Sequence, residues 1–458
     1  MFNKVLIANR GEVALRVIRA CRELGVRTVA VHSEADVGAL HVRFADEAVC
    51  IGPADARKSY LHVPAIIAAA EITNADALHP GYGFLSENAE FAEICRKCRL
   101  TFIGPSPETM RTWGSKVRAR EKATSMGLPV LPGSGVLRDV EHALAEASRV
   151  GYPVLLKASG GGGGRGMKVT RNAEDMRRAF VPAQQEALAA FKNSDIFLER
   201  YVERPKHIEF QVLGDGKGHA MVLGERECSV QRRHQKLVEE SPSPAPALTV
   251  EAREDMSRTI ERVMREGGYA SLGTLEFIMD ERGHLYFMEM NTRLQVEHPV
   301  TEMVTGVDLV CEQIRVAAGE DPSIPWERQL VPRGAAIECR INAEDPESFA
   351  PWPGTIREYH PPGGHGIRVD SGVFGGWTVP AHYDSLIVKL VAHGATREQA
   401  ISRMQRALDE TIVTGIRTNV ELHKRILADE EFRRGTYTTR LLERMLAPPP
   451  SGPPYASA

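Results

Sequence analysis

Residues 1–110 alternate short apolar runs with stretches of helical spacing, and no other feature of the chain constrains its fold as much. Val5-Leu6-Ile7-Ala8 is a buried-strand run. Glu12 to Leu24 sets Val13, Val17, Cys21 and Leu24 on one side of a helix, with Gly25 as its stop. Thr28 to Val31 is the next strand. Ala77-Leu78 leads into the loop His79-Pro80-Gly81-Tyr82-Gly83, and Thr101 to Gly104 closes the section. This alternation predicts an α/β fold with a doubly wound parallel sheet, whose ligands sit beyond the carboxyl ends of the strands. The loops Asn9-Arg10-Gly11 and His79 to Gly83 occupy such places.

The chain has 458 residues, enough for about three domains of roughly 150 residues. Lys plus Arg number 57 and Asp plus Glu 60, for a net charge of −3. That balance argues against bulk binding to nucleic acid or an anionic membrane, while permitting a local basic cleft. The seven cysteines are scattered, which does not suggest a disulfide framework. The one CxxC, Cys95 and Cys98, falls in the helical-looking run Asn88 to Arg99 and reads as two small residues on a helix face. No apolar run approaches the ~18 residues of a membrane span. Val5 to Ala8 is too short for the core of a signal peptide. The expectation is a cytoplasmic protein.

The texture changes near Ser115. A charged helix, Lys116 to Met126, is followed by a helix at Val140 to Val150 and a strand at Tyr152 to Lys157. A glycine run, Met167-Lys168-Val169 and a long helix to Phe191 come next, then the strand Ile196 to Val202. Strands then dominate: His207 to Leu213, His219 to Glu225, Gly273 to Asp280 and His284 to Asn291. The last section begins near Val331, with the strand Ala335 to Ile341 and the helix Arg397 to Leu408. Ala447 to Ala458 reads as a disordered tail.

The glycine run, Gly160 to Gly164 with Arg165 and Gly166, lets backbone N–H groups approach phosphates. It is not a Walker A loop, because Met167 stands where the lysine belongs. Nor does it open a helix as a dinucleotide fingerprint would. It reads as a hairpin loop folding over nucleotide phosphates, with a plain linker as the alternative. Lys157, ending the preceding apolar strand, can reach into such a site.

The sharpest signal is Glu289-Met290-Asn291-Thr292-Arg293-Leu294-Gln295-Val296-Glu297-His298. On an extended chain, Glu289, Asn291, Arg293, Gln295 and Glu297 share one face. In the strand before it, Thr274 to Met279 is almost wholly apolar except for Glu276, and a carboxylate there must be paired or bound to metal. If the turn pairs Asp280 with Gly283, Glu276 lies opposite Phe287 and diagonal to Glu289. Two carboxylates and Asn291 so placed suit a Mg²⁺ site holding nucleotide phosphates. Gln231-Arg232-Arg233-His234-Gln235-Lys236 is a basic turn, open to readings as a solvated loop, a nucleic-acid patch or a loop serving an anionic substrate. Glu338 and Arg340 share one face of a strand that looks ordinary.

Taken together, Ile7 to Glu12, His79 to Asn88, Lys157 to Met167, Arg232 to Glu240 and Glu289 to Glu302 resemble biotin carboxylase, the ATP-grasp component of acetyl-CoA carboxylase and related enzymes, over residues 1 to 446. The resemblance implies an N-terminal domain of the doubly wound type at 1–114, an ATP-grasp domain at 115–330 with a mobile lid at about 131–203, and a mixed α+β C-terminal domain at 331–446. It implies that ATP phosphorylates bicarbonate to carboxyphosphate, whose breakdown supplies CO₂ to biotin N1′. Lys116, Lys157, Gly163, Gly164, Glu199, Arg200, Tyr201, Val202, His207 and His234 would bind ATP, together with Glu276 and Glu289. Glu276, Glu289 and Asn291 would hold two Mg²⁺ or Mn²⁺ ions. Lys236, Arg293, Gln295 and Val296 would hold bicarbonate, with Glu297 the general base. Arg293 and Arg340 would stabilise anionic groups, Arg340 beside the biotin enolate.

Two departures from the family pattern stand out: Arg200 where the family often has Lys, and Ser241 to Ala247 in place of an Ala-Pro-Ala-Pro stretch. The only Met-Lys, at Met167-Lys168, lies in the glycine motif and is not a biotin attachment site. The resemblance therefore implies a separate biotin carboxyl carrier protein and carboxyltransferase subunits as partners, and a homodimer.

Overall fold

The computed structural model describes residues 1–159, 167–328 and 330–447. Its first sheet is built from β1 (Lys4–Ile7), β2 (Arg27–His32), β3 (Glu47–Cys50), β4 (Ala77–His79) and β5 (Thr101–Phe102) in the order β3-β2-β1-β4-β5. All its pairings are parallel. Alternate residues of β1 serve opposite faces, as the two-residue period requires. Val5 and Ile7 pack with Val13, Val17 and Cys21 of the helix Gly11–Glu23. Leu6 packs with Ile66, Ala69 and Phe91 from helices on the other side. The expected doubly wound sheet is present.

A second sheet, order β7-β6-β8, comprises β6 (Val154–Ala158), β7 (Lys168–Thr170) and β8 (Ile196–Arg200). The helices Val140–Val150 and Ala173–Phe191 bury Ala143, Ala147, Met176 and Phe180 against it. Strands β6 and β7 pair antiparallel and flank the glycine run, which itself lies outside the described residues.

The third sheet positions the site. It contains β9 (Lys206–Asp215), β10 (Ala220–Arg232), β11 (Gln235–Ser241), β12 (Ala270–Met279), β13 (Leu285–Asn291) and β14 (Ala335–Asn342). Two short ribbons follow, β15 (Gly354–Thr355) with β18 (Thr378–Val379) and β16 (Glu358–His360) with β20 (Ile412–Thr414). β17 (Ile367–Ser371) and β19 (Leu386–Gly394) rejoin the large sheet, whose order is β13-β12-β9-β10-β11-β14-β19-β17. The chain after Val331 thus extends the central sheet with β14, β19 and β17, and forms only the two short ribbons by itself. The helix Arg397–Glu410 and the chain to Leu442 bury a separate apolar core on it.

Four local expectations are corrected. Glu276 is paired with Glu289, not with Phe287, for two reasons: the turn pairs Asp280 with His284 and not with Gly283, and Met288 is an extra residue that shifts the register again between Glu276 and Phe277. The polar run after Glu289 does not stay extended: β13 ends at Asn291, where Thr292 N donates to Glu87 Oε1. The strand expected at His219 to Glu225 continues to Arg232. Cys95 is buried on the helix Ala89–Lys97, whereas Cys98 lies just past its end and is exposed. Among the described residues, no helix is long and apolar enough to cross a membrane.

Candidate active site

The sheet gathers its charged side chains where β9, β11, β12 and β14 meet the chain leading out of β13. Lys236, on β11, is the hub. Its Nζ lies 2.6 Å from Glu209 Oε2, 2.9 Å from Glu276 Oε1 and 2.7 Å from Glu297 Oε1. Burial alone would lower this lysine's pKa, but the three carboxylates hold it well above the ordinary range. Glu297, with no exposure, is the residue just before the helix His298–Thr305. Its other oxygen lies 2.8 Å from Arg340 Nη2. Burial works to raise its pKa, yet Lys236 and Arg340 outweigh that and hold the carboxyl well below the ordinary range. A helix N-terminus favours the same charge.

Arg340 is tethered from both ends. Its guanidinium reaches Glu239 and Glu297. Its carbonyl accepts from Asn419 Nδ2 at 3.0 Å and His423 Nε2 at 2.7 Å. The residue pattern around it is that of an ordinary half-buried strand; the family resemblance singles it out, and the pairing with Glu297 places it beside the buried charges.

The carboxylates Glu276 and Glu289 face each other across β12 and β13. Like charges in that relation repel, and a separate side chain answers each one. His207 Nε2 lies 3.0 Å from Glu276 Oε2, and Lys116 Nζ 3.0 Å from Glu289 Oε2. Asn291 Nδ2 and Gln295 Nε2 donate to Glu276 Oε1 at 2.8 and 3.0 Å. Glu276 stays ionised: burial opposes this, but Lys236 and His207 keep its pKa well below normal. Two carboxylates and an amide carbonyl are hard oxygen donors, and they fit Mg²⁺. Arg293 donates to Glu87 Oε2 at 2.9 Å, to Asn291 Oδ1 at 3.0 Å and to Gln295 Oε1 at 3.1 Å. Of the five polar groups expected on one extended face, Glu289 and Asn291 are on the strand. Arg293, Gln295 and Glu297 reach the same place by the turn after it. Val296 offers its carbonyl to Lys389 Nζ at 3.1 Å.

Of the remaining expected nucleotide residues, those described lie on β6, on and just after β8, and at the β10–β11 hairpin. Lys157 on β6 and Arg120 on the helix Lys116–Ser125 both grip the Glu199 carboxylate. β8 ends at Arg200, so Tyr201 and Val202 lie beyond the strand rather than on it; Tyr201 Oη accepts from Arg440 at 2.6 Å. His234 is at the tip of the β10–β11 hairpin. There Arg233 (φ 48°) and His234 (φ 65°) both occupy the left-handed region in a two-residue turn. Such a turn favours glycine or asparagine; two larger side chains strain it by roughly 1–2 kcal/mol each. Strain kept at a basic tip points to use of those side chains. Gly163 and Gly164 lie outside the described residues.

Sequence reasoning missed four groups. Glu209 is fully buried between Ile208 and Phe210, the pattern that singled out Glu276, and could have been found the same way. Arg226, also fully buried, donates to Glu209 at 2.5 Å and to Gln211 and Thr301. Glu87 and Glu239 meet their arginines only through tertiary structure.

Three family models match in order: biotin carboxylase N-terminal domain at residues 1–110, carbamoyl-phosphate synthase L chain ATP binding domain at 115–324, and biotin carboxylase C-terminal domain at 338–444. A biotin carboxylase of Haemophilus influenzae is 55% identical over 97% of this chain and 99% of its own length. One from Pseudomonas aeruginosa is 53% identical over the same shares. Among solved structures, the biotin carboxylase domain dimer of Hydrogenobacter thermophilus 2-oxoglutarate carboxylase, in complex with MgADP, ADP and bicarbonate, superposes with a TM-score of 0.92. It is 51% identical and covers 97% of this chain and 98% of its own. A Campylobacter jejuni biotin carboxylase complex gives 0.93 at 46% identity, covering 97% and 99%.

Proposed function

The chain belongs to the biotin carboxylase family, and on that premise we propose how its residues divide the work. It is an ADP-forming ligase of the ATP-grasp type that carboxylates biotin at the expense of ATP and bicarbonate. The observation that carries the residue assignment is the Glu297 carboxylate bridging Lys236 and Arg340. Glu297 takes the proton of bicarbonate, and the freed oxygen attacks the γ-phosphorus of ATP to give carboxyphosphate and ADP. Lys236, Arg293, Gln295 and the Val296 backbone hold the anion. When bicarbonate or biotin draws a cation away from Glu297, the carboxylate becomes a stronger base at the moment it is needed.

Carboxyphosphate breaks down to CO₂ and phosphate, the phosphate takes the N1′ proton of biotin while Arg340 holds the ureido oxygen as negative charge develops there, and N1′ bonds to the CO₂. Glu276, Glu289 and Asn291 would hold Mg²⁺ or Mn²⁺, which supplies neutralisation of phosphate charge. Lys116, Lys157, His207, His234, Glu199 and the chain from Arg200 to Val202 would line the nucleotide site, with Gly163 and Gly164 covering it. The domains divide at about 114 and 330, with 131–203 closing as a lid. Biotin arrives on a separate carrier protein, and carboxyltransferase subunits pass the carboxyl group to an acyl-CoA such as acetyl-CoA. The enzyme works as a cytoplasmic homodimer, in fatty acid biosynthesis.

The direct test is ADP release by the pure protein with and without bicarbonate and biotin. Release stimulated by biotin and dependent on bicarbonate is expected; its absence would reject the reading.

A further inference from the structure

Glu239 on β11 and Glu338 on β14 are direct cross-strand partners. Their side chains therefore leave the sheet on the same face, with Cβ atoms about 4.5–5.5 Å apart. Neither is exposed at all. Glu239 Oε1 accepts from Arg340 Nε at 2.6 Å, but Glu239 Oε2 and both carboxyl oxygens of Glu338 have no hydrogen-bond donor among the described residues. Each such buried atom costs about 1–3 kcal/mol, and two adjacent buried anions repel besides. One proton placed between the two groups removes the repulsion and pairs two of the three orphan oxygens.

The charges facing the pair come from every strand around it. Arg340 lies on β14, Lys236 on β11 and Lys389 on β19, with Glu297 ahead of the helix packed over them. Lys389 is committed elsewhere, to Glu12 Oε2 and the Val296 carbonyl at 3.1 Å each. Burial, only partly offset by Lys389, pushes the Glu338 carboxyl well above its ordinary range. Burial likewise lifts Glu239 to about 7 against the pull of Arg340.

We propose that Glu338 is a neutral acid donating its proton to Glu239 Oε2, and that this pair is the positioning device for Arg340, presenting it one negative charge as a second anchor beside Glu297. Neither glutamate touches substrate. With the proton lost, the doubled charge draws the guanidinium from Glu297; with Glu239 neutralised, Arg340 falls wholly onto the base. The inference rests on the reading of Arg340 as the biotin contact.

The proton is read directly by infrared spectroscopy of the full chain: a protonated-carboxyl band present in the wild type disappears in Glu338→Gln. The same variant, whose amide replaces the acid as donor, keeps neutral-pH turnover within about threefold but loses the wild type's decline at alkaline pH. Glu239→Gln lowers biotin-dependent kcat/KM by about tenfold or more, while KM for ATP stays unchanged; Glu239→Asp restores part of the loss. No band lost in Glu338→Gln would overturn the shared proton. Unchanged biotin kcat/KM in Glu239→Gln would overturn the positioning role. If Arg340→Ala carboxylates biotin normally, the biotin assignment of Arg340 fails and takes the positioning role with it, while the infrared band still decides the shared proton.

Discussion

Lys236 Nζ stands 2.7 Å from Glu297 Oε1, an ion pair between a strand and the residue that opens a helix, both deep in the molecule. The pair keeps the base ionised and the cation oriented before any anion arrives. Electrostatic catalysis gains from charges that need no reorganisation during the reaction.

Glu297→Gln should therefore lose the base and little else. Turnover should fall by roughly 10²–10⁴-fold with KM for ATP nearly unchanged. Steady-state ADP release across ATP concentrations checks this, and near-normal turnover would reject the assignment.

Arg340→Ala should reduce biotin carboxylation far more than nucleotide binding. Titration with ATP and assay with free biotin separate the two. A uniform loss of ATP affinity would instead point to a structural role.

Arg226→Met tests the support beneath Lys236. The substitution leaves Glu209 buried without its 2.5 Å arginine partner, although Lys236 remains. Breaking a buried pair from one side costs about 3–5 kcal/mol. Denaturant unfolding should show a loss of that order, and KM for bicarbonate should rise with it.

Three histidines predict acid sensitivity. Burial holds His41 at about 4, His79 at about 3 and His423 at about 4. Their unfolded forms take up a proton near 6.5. Below that pH the unfolded chain binds more protons than the native one, so stability falls with acidification until the native values are reached. Each contributes about 1.4 kcal/mol per pH unit in that window. Melting temperatures from pH 7 to 5 should fall, and His423→Gln should flatten the slope.

The N-terminal sheet was legible because its strands and helices are local in sequence. Val5 to Ala8 and Glu12 to Leu24 read directly onto β1 and its helix. Glu276 was legible because a lone carboxylate breaks an apolar strand. Its pairing with Glu289 was not, since the turn closes one residue away from the expected place and Met288 bulges by one more, and neither leaves a mark in composition. Arg340, legible through the family resemblance alone, and Glu239 and Glu87, not legible at all, carry no local signal for a different reason. Their meaning lies in partners 43 to 206 positions away, and no local pattern encodes such a distance.

The unbroken sheet from β13 to β14 acts as a ruler. Five interstrand steps separate the strand of Glu289 from the strand of Arg340, or roughly 24 Å of sheet at about 4.8 Å per step. Hairpin loops can lengthen or shorten without moving either end of that scale, because their insertions fall outside the ladder. Strand count thus fixes where the two ends are anchored in the backbone, and the contacts from Arg340 through Glu297 and Lys236 to Glu276 carry their side chains across that interval.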